Sequence, residues 1–298
     1  MTKKILITGA SGFVGRHILK ELSNYKNLDI TSVAAKGTKI DNQLIKKLDI
    51  TDTQTVKKFL ARHQFNIIYH LAALIPKDDA AEAEKAILIN GIGTLNLLQA
   101  AAQTKVNKIV YASSASVYNR KMNLPIKETY TLPTNLYGLS KLIGEMACEL
   151  FQGQSESKII SLRYASIYGY GQNENTVLPT FIKQAKTNKD LTIFGQGERS
   201  QDFIYIKDIA RITTQVGFDD SCGVYNIGSG QETSMKELAT KIIKVFGSKS
   251  KIISQGQETD ITKFVLDINQ AKQDLNYQPA FNLESGLIDY QTEIKKYE

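Results

Sequence analysis

Between a short aliphatic run, Ile5-Leu6-Ile7, and an amphipathic stretch that begins at Phe13, the chain reads Thr8-Gly9-Ala10-Ser11-Gly12-Phe13-Val14-Gly15. Three glycines at G-x-x-G-x-x-G spacing, set between a strand and a helix, constrain the fold more than any other feature. Gly9 makes the tight turn, Gly12 lets a pyrophosphate approach the backbone, and Gly15 lets helix and strand pack closely. The helix N-terminus then offers orphan N–H groups to the phosphates. Gly9, Ser11, Gly12, Phe13, Val14 and Gly15 are therefore candidates for a dinucleotide-binding loop. A glycine-rich packing turn explains one of these glycines and explains three in register poorly.

The rest of the N-terminal half repeats the strand–helix rhythm. Strands are expected over Lys4–Thr8, Asp29–Val33, Lys47–Ile50, Asn66–Leu71, Lys108–Ala112 and Lys158–Arg163. Helices are expected over Phe13–Ser23, Thr51–Arg62, about Ala80–Gln103 and Thr134–Phe151, with Thr51 and Gln54 at capping-box spacing. This alternation implies an α/β fold, a doubly wound parallel sheet with helices on both faces. After Tyr168-Gly169-Tyr170-Gly171 the rhythm loosens, with a helix near Leu178–Thr187, strands near Leu191–Phe194 and Phe203–Ile206, and a helix opened by Ser234-Met235-Lys236-Glu237. The expected organisation is a dinucleotide-binding domain over residues 1–165 and a smaller C-terminal α+β substrate-binding region over 166–298, with chain crossings between them.

Composition narrows the partners. The 37 Lys and Arg against 30 Asp and Glu leave +7, but the basic residues are scattered and their longest runs are pairs such as Lys46-Lys47 and Lys57-Lys58. Nucleic-acid binders concentrate such charge on one face or arm, so no nucleic-acid partner is expected. No apolar run approaches the ~20 residues that span a bilayer, and Ile5-Leu6-Ile7 is too short for a secretory signal. Cys148, Cys222, His17, His63 and His70 show no zinc-ligand spacing, so no metal is expected. The expectation is a reduced, cytoplasmic, soluble protein with no membrane partner.

Tyr137-Gly138-Leu139-Ser140-Lys141 places a tyrosine and a lysine four residues apart on one helix face. Upstream, Tyr111-Ala112-Ser113-Ser114-Ala115-Ser116-Val117-Tyr118 puts hydroxyls just after the fifth strand, at the carboxyl edge where such sheets bind ligands. A tyrosine needs its pKa lowered by ~3 units to act near neutrality, and a lysine one turn away together with a positive nicotinamide pushes that way. Tyr137 is the candidate acid/base, Lys141 its electrostatic partner, and Ser114 the hydrogen-bond donor to a substrate oxygen.

With these motifs in place, the chain resembles the extended short-chain dehydrogenases/reductases, the NAD-dependent epimerase/dehydratase group that acts on nucleotide sugars. The resemblance runs nearly end to end. It covers the glycine loop, Leu48-Asp49-Ile50, His70-Leu71-Ala72-Ala73, Asn90–Leu98, Ser113–Tyr118, Tyr137–Lys141 and Leu162-Arg163-Tyr164, then Gly195–Ile206, Tyr225–Gly230 and Asp267–Pro279. It implies a Rossmann sheet in which Asp49 and Ile50 hold the adenine, and Leu71, Ala72, Ala73, Asn90 and Ala112 line the cofactor groove. Tyr164 approaches the nicotinamide, and Ser114, Tyr137 and Lys141 form the catalytic set. Individually, Asn90 also reads as a helix-surface amide and His70 as a satisfied strand-end histidine.

Several departures bear on ligand choice. An acid at the end of the second strand binds the ribose of NAD, but here Val33-Ala34-Ala35-Lys36 offers none, and Asp29 and Asp41 lie too early and too late. Lys36 suits a 2′-phosphate, or is a solvated loop cation, so NAD and NADP both stay open with a lean to NADP. The Asp-Glu pair of the family's dehydratases is replaced by Ala115 and Ser116, which disfavours 4,6-dehydration. The family's diphosphate arginine before Asp-Phe is Gln201, with Arg199 nearby; a second, expected near Ser254–Glu258, is absent, and a cleft Asn is Ser166. Ser116, Ser166, Arg199 and Gln201 are the candidate substrate contacts.

The leading reading is hydride transfer at a sugar-nucleotide ring carbon, C4, by a 4-epimerase or a 4-ketoreductase. The alternatives are a reductase of a non-nucleotide carbonyl and a catalytically silent dinucleotide-binding regulator. The resemblance also implies a homodimer built on helices near Ala86–Ala102 and Leu139–Leu150, whose Leu95, Leu98, Ile143, Met146 and Leu150 equally suit a core.

Overall fold

The computed structural model describes residues 2–40, 43–119, 122–257 and 261–297. Asp41 and Glu258, both weighed above, lie outside the described residues. The first strands are β1 (Lys3–Thr8), β2 (Leu28–Ala34), β3 (Thr38–Ile40), β4 (Gln43–Lys47), β5 (Ile67–His70), β6 (Lys108–Ser114) and β7 (Lys158–Tyr164). Between them run helices α1 (Phe13–Leu22), α2 (Thr53–His63), α3 (Ala83–Ile87), α4 (Gly93–Ala102) and α5 (Leu136–Gln152). Beyond β7 come β8 (Ser166–Tyr168), α6 (Val177–Lys186), β9 (Leu191–Phe194), β10 (Ser200–Gln201), β11 (Phe203–Tyr205) and α7 (Ile206–Gln215). The chain closes with β12 (Gly223–Ile227), β13 (Thr233–Ser234), α8 (Met235–Phe246), β14 (Ile252–Gln255), α9 (Asn269–Asp274) and α10 (Leu283–Tyr297).

One sheet organises the molecule, in the order β12-β7-β6-β5-β1-β2-β4-β3, parallel throughout except for β3 against β4. Its central strands carry unbroken apolar runs because both faces are covered. In β1, Ile5 and Ile7 enter one core layer and Leu6 the other, all fully buried; Val110 and Ile109 divide the same way in β6. The doubly wound sheet read from the sequence is therefore present. Chain order reverses around β1, which lies between β5 and β2, and ligands of such sheets bind beyond the carboxyl ends at that switch point.

Several local expectations are corrected. The strand expected at Lys47–Ile50 is instead β4, Gln43–Lys47; Leu48 and Ile50 leave the sheet and are buried. Helix α2 is capped by Asp52 rather than Thr51, its carboxylate accepting from the Gln54 and Thr55 amides, while the Thr51 amide and hydroxyl donate to Asp49 Oδ1 at 2.9 and 2.7 Å. The long helix expected from Ala80 starts at Ala83 and is interrupted by a π turn, Leu88–Ile92, before α4. Helix α8 has the expected cap, Ser234 Oγ accepting from the Glu237 amide at 3.1 Å. The C-terminal part returns to the sheet: β12 pairs with β7, and α7 packs beside α1. Parallel pairs β8–β11 and β9–β14 and the antiparallel pair β10–β13 make up its remaining strands.

Candidate active site

The loop after β1 has the geometry of a phosphate cradle. Gly9 has φ +69°, and a Cβ there would lie 2.7 Å from the Ala72 nitrogen and the Leu71 carbonyl carbon. A Cβ on Gly15 would run into the Gly9 carbonyl oxygen, so each glycine permits a backbone approach that a side chain forbids. Gly12 is the N-cap of α1, with no capping side chain and no acid in the first turn. The first amides of α1 are thus left for an anion, as a dinucleotide pyrophosphate requires.

A cavity of about 610 Å³ opens from this loop across the carboxyl ends of β1, β5, β6 and β7. Gly9, Gly12, Phe13, Val14, Gly15, Leu71, Ala73, Ala112, Ser114, Ser116, Tyr137, Lys141, Tyr164, Ser166 and Gln201 all line it. Ser11, Lys36, Asp49, Ile50, Ala72, Asn90 and Arg199 do not. Lys36 is exposed just past β2, Asp49 is exposed and bonded to Thr51, and Ile50 packs against Gly93. The Ala72 amide donates to Thr8 Oγ1 at 3.2 Å, fastening β5's end to β1. No Asp or Glu faces this end of the described cavity wall.

Asn90 is fully buried in the π turn rather than exposed on a helix surface. Its Oδ1 accepts from the Leu74 amide at 2.7 Å, and its Nδ2 donates to Leu74 O and to Ser140 Oγ, both at 2.8 Å. Ser140 Oγ in turn donates to the Tyr137 carbonyl at 2.8 Å. Asn90 therefore ties the loop after β5 to the helix that bears Tyr137. His70 is buried with both ring nitrogens partnered, Nδ1 to Thr8 Oγ1 at 2.7 Å and Nε2 to Thr94 Oγ1 at 2.9 Å. Burial, with the nearby Lys141 charge, pushes His70 down to about 3, so it is a neutral structural bridge.

Helix α5 delivers Tyr137 and Lys141. Asn135 caps it through its Oδ1, which accepts from the Gly138 amide at 2.7 Å. Any Cβ on Gly138 would strike the Ser116 carbonyl, so a glycine beside Tyr137 lets α5 close on the turn after Ser114. Tyr137 is half-buried; burial pushes its hydroxyl up to about 12, and hydrogen bonding with Ser114 only partly opposes this. Lys141 is 1% exposed and pulled down to about 8 by burial, against the raising effects of Cys148 and Glu145. The lysine-driven depression of Tyr137 expected from the sequence is not found in the protein alone, because burial dominates and disfavours the charged form of both groups.

Beneath the site lies a set of residues whose roles sequence reasoning missed. Glu145, one turn beyond Lys141, is buried and takes a bidentate ion pair from Arg163, Nε at 2.9 Å and Nη2 at 2.7 Å, and a hydrogen bond from Ser113 Oγ. Arg163 Nη1 also donates to Tyr118 Oη at 2.7 Å, which donates to Asn226 Oδ1 at 2.6 Å. This network joins β6, α5, β7 and β12 directly under Ser114. The available signal was an acid at i+4 from Lys141 on an apolar helix face.

Ser166 Oγ donates to Gln201 Oε1 at 2.7 Å, and Ser114 Oγ donates to Ser116 Oγ at 3.1 Å. Among the described residues, no cluster of three or more His, Cys, Asp or Glu could hold a metal ion, and no helix is long and apolar enough to cross a membrane.

A sequence profile of the NAD dependent epimerase/dehydratase family matches residues 5–228. An uncharacterized UDP-glucose epimerase of Bacillus subtilis is 31% identical over 304 residues, covering 96% of each chain. The dTDP-4-dehydro-6-deoxyglucose reductase of Escherichia coli is 26% identical over 299 residues and 95% of each chain. Among solved structures, the UDP-glucose 4-epimerase of Thermotoga maritima, with UDP-glucose, superposes with a TM-score of 0.88 at 25% identity over 99% of both chains.

Proposed function

The chain belongs to the NAD dependent epimerase/dehydratase family, and from that premise we propose that it moves a hydride at a ring carbon, C4, of a nucleotide sugar, with Tyr137 as acid/base. The observation that carries this reading is that Ser114, Tyr137 and Lys141 line one cavity with Gly9, Gly12 and Gly15. Bound NAD or NADP supplies the nicotinamide that exchanges hydride with the sugar carbon. Tyr137 exchanges the proton of the sugar oxygen, and Ser114 hydrogen-bonds that oxygen. Lys141 contributes positive charge one turn away, and the apolar wall of Leu71, Ala73 and Ala112 excludes water.

Both a 4-epimerase and a 4-ketoreductase use this arrangement. The relatives include a named epimerase and a named reductase. The Ala115-Ser116 pair, which offers no acid beside Ser114, argues against 4,6-dehydration. The exposed Lys36 and the absence of an acid at Ala34-Ala35 favour NADP over NAD. Residues 1–165 form the dinucleotide part in this proposal, with 166–298 supplying the substrate end. An exposed apolar face on α5 supports a homodimer, and two free cysteines suit a reducing cytoplasm.

Native mass spectrometry of the purified protein, followed by sugar addition, tests the choice. A 4-epimerase retains NAD and shows no net cofactor consumption. A 4-ketoreductase consumes one reduced cofactor, NADPH by the Lys36 argument, per sugar reduced. A protein that neither binds nor turns over either dinucleotide contradicts the proposal.

A further inference from the structure

Tyr111, in β6, is fully buried and does not line the cavity, yet its ring faces the Lys141 ammonium, which does. Lys141 Nζ lies 4.3 Å from the ring centroid, and the Tyr111 hydroxyl donates to the Lys141 carbonyl at 3.2 Å. One side chain thus holds the lysine at both its backbone and its charged tip. Helix α5 is shaped to seat that ring. A Cβ on Gly144, in the next turn after Lys141, would lie 2.1 Å from the Tyr111 hydroxyl oxygen. Glu145 is committed to Arg163 and Ser113, and among the described residues no carboxylate pairs with Lys141. His70 lies opposite Tyr111 in the β5–β6 pair, with ring centroids 5.6 Å apart, and being neutral it brings no competing cation. An aromatic face attracts a cation through its quadrupole, most strongly where water is excluded, and Lys141 is 1% exposed.

We propose that Tyr111 is a positioning residue for the reaction, its ring face holding the Lys141 ammonium at the catalytic end of the cavity, one turn from Tyr137. This rests on the reading of Lys141 as the electrostatic partner of Tyr137. The other ionisable groups around the ammonium set the background. On α5, Cys148 and Glu145 favour its charged form, while Arg163 in β7 is spent on Glu145. Burial opposes them and prevails. The ring stabilises the cation without adding a counter-charge, so its loss changes both the place of the amine and its hold on the proton. The Tyr111 hydroxyl is not needed for this, because a phenylalanine ring presents the same face.

NMR of the purified protein carrying isotope-labelled lysine tests this without turnover, so the result stays readable if the catalytic reading fails. The Lys141 signal is identified by its loss in Lys141→Met. Its ε-protons in the wild type are expected upfield of those of exposed lysines, through the Tyr111 ring current. Tyr111→Phe is expected to keep that shift and the titration midpoint. Tyr111→Leu is expected to lose the shift and to titrate about one pH unit lower, the scale of a desolvated cation–π contact. With NAD and UDP-glucose as the probe, the alkaline limb of hydride transfer is expected to move down equally in Tyr111→Leu and to stay in place in Tyr111→Phe. A purely structural loss would lower the rate without moving that limb. Unshifted ε-protons in the wild type, or a folded Tyr111→Leu protein whose Lys141 titrates as in the wild type, overturns the proposal. So does an unmoved alkaline limb beside a shifted Lys141 midpoint, or a Tyr111→Phe protein that behaves as Tyr111→Leu. Should Tyr111→Leu fail to fold, the wild-type ε-protons and Tyr111→Phe decide; should UDP-glucose not be turned over, the NMR titrations decide.

Discussion

The Lys141 ammonium lies 4.3 Å from the centroid of the Tyr111 ring, and the Tyr111 hydroxyl donates to the Lys141 carbonyl at 3.2 Å. A buried cation is thus held against an aromatic face on the neighbouring strand, with Glu145 engaged by Arg163 rather than by the lysine. Burial lowers Lys141 from 10.5 to about 8. Between those two values the unfolded chain holds a proton that the folded chain has released, so stability rises with pH across that window. Below about pH 8 both states are protonated, and the folded state carries the whole penalty, roughly 3 kcal/mol. Lys141→Met is therefore expected to raise the urea midpoint near neutral pH, with the gap to wild type closing toward pH ~10. A gap that widens with pH contradicts this placement of the charge.

The glycine cradle gives a sharper structural test. Gly15→Ala drives a Cβ into the Gly9 carbonyl, a backbone atom that cannot move aside without deforming the loop. Dinucleotide affinity, followed by quenching of tyrosine fluorescence, is expected to fall at least tenfold, with a destabilisation of about 1–3 kcal/mol. Wild-type affinity in this variant would show that the close approach is not needed.

Glu145 and Arg163 form a desolvated pair beside β6. Removing one partner leaves an uncompensated buried charge, so Glu145→Ala is expected to cost roughly 3–5 kcal/mol in urea unfolding. Replacing both residues with apolar groups of similar size is expected to cost less than either single change. Additive losses in that double-mutant cycle would show that the two side chains act separately.

Met146 is 63% and Leu150 55% exposed on α5, with Leu139 also exposed on that helix and Leu88 and Ile92 on the π turn. Leu98 is buried core, so the apolar positions read from the sequence divide between interior and surface. Sedimentation is expected to give a dimer for the wild type and a monomer for Met146→Glu/Leu150→Glu, with the monomer still folded. A monomeric wild type at micromolar concentration contradicts the homodimer.

The parts of this molecule that were legible in the sequence are those where one residue type is chemically required. Gly9, Gly12 and Gly15 announce their backbone approaches, and the Tyr137–Lys141 spacing survives any shift in helix boundaries. The β3–β4 hairpin was not legible, because strand β4 is buried only at Ile45 and shows no alternation long enough to read. The π turn was hidden for the opposite reason: inserting a wide turn at Leu88–Ile92 keeps a helical run of apolar residues while changing where Asn90 points. The Thr51 cap is displaced by Asp52 one residue on, whose carboxylate accepts from the Gln54 and Thr55 amides. The role of Glu145 depends on Arg163 and Ser113, which only the folded sheet brings beside it.

The most direct measurement of the central claim is the rate of reduced-nicotinamide formation or loss, followed at its near-ultraviolet absorbance, when a sugar nucleotide is mixed with dinucleotide-loaded wild type and with Tyr137→Phe. The phenylalanine keeps the ring and removes the hydroxyl proposed to exchange the proton. The account predicts that Tyr137→Phe binds dinucleotide as the wild type does and loses hydride transfer by roughly 10²–10⁴-fold, the range of general acid–base catalysis. Hydride transfer at the wild-type rate in that variant would contradict it.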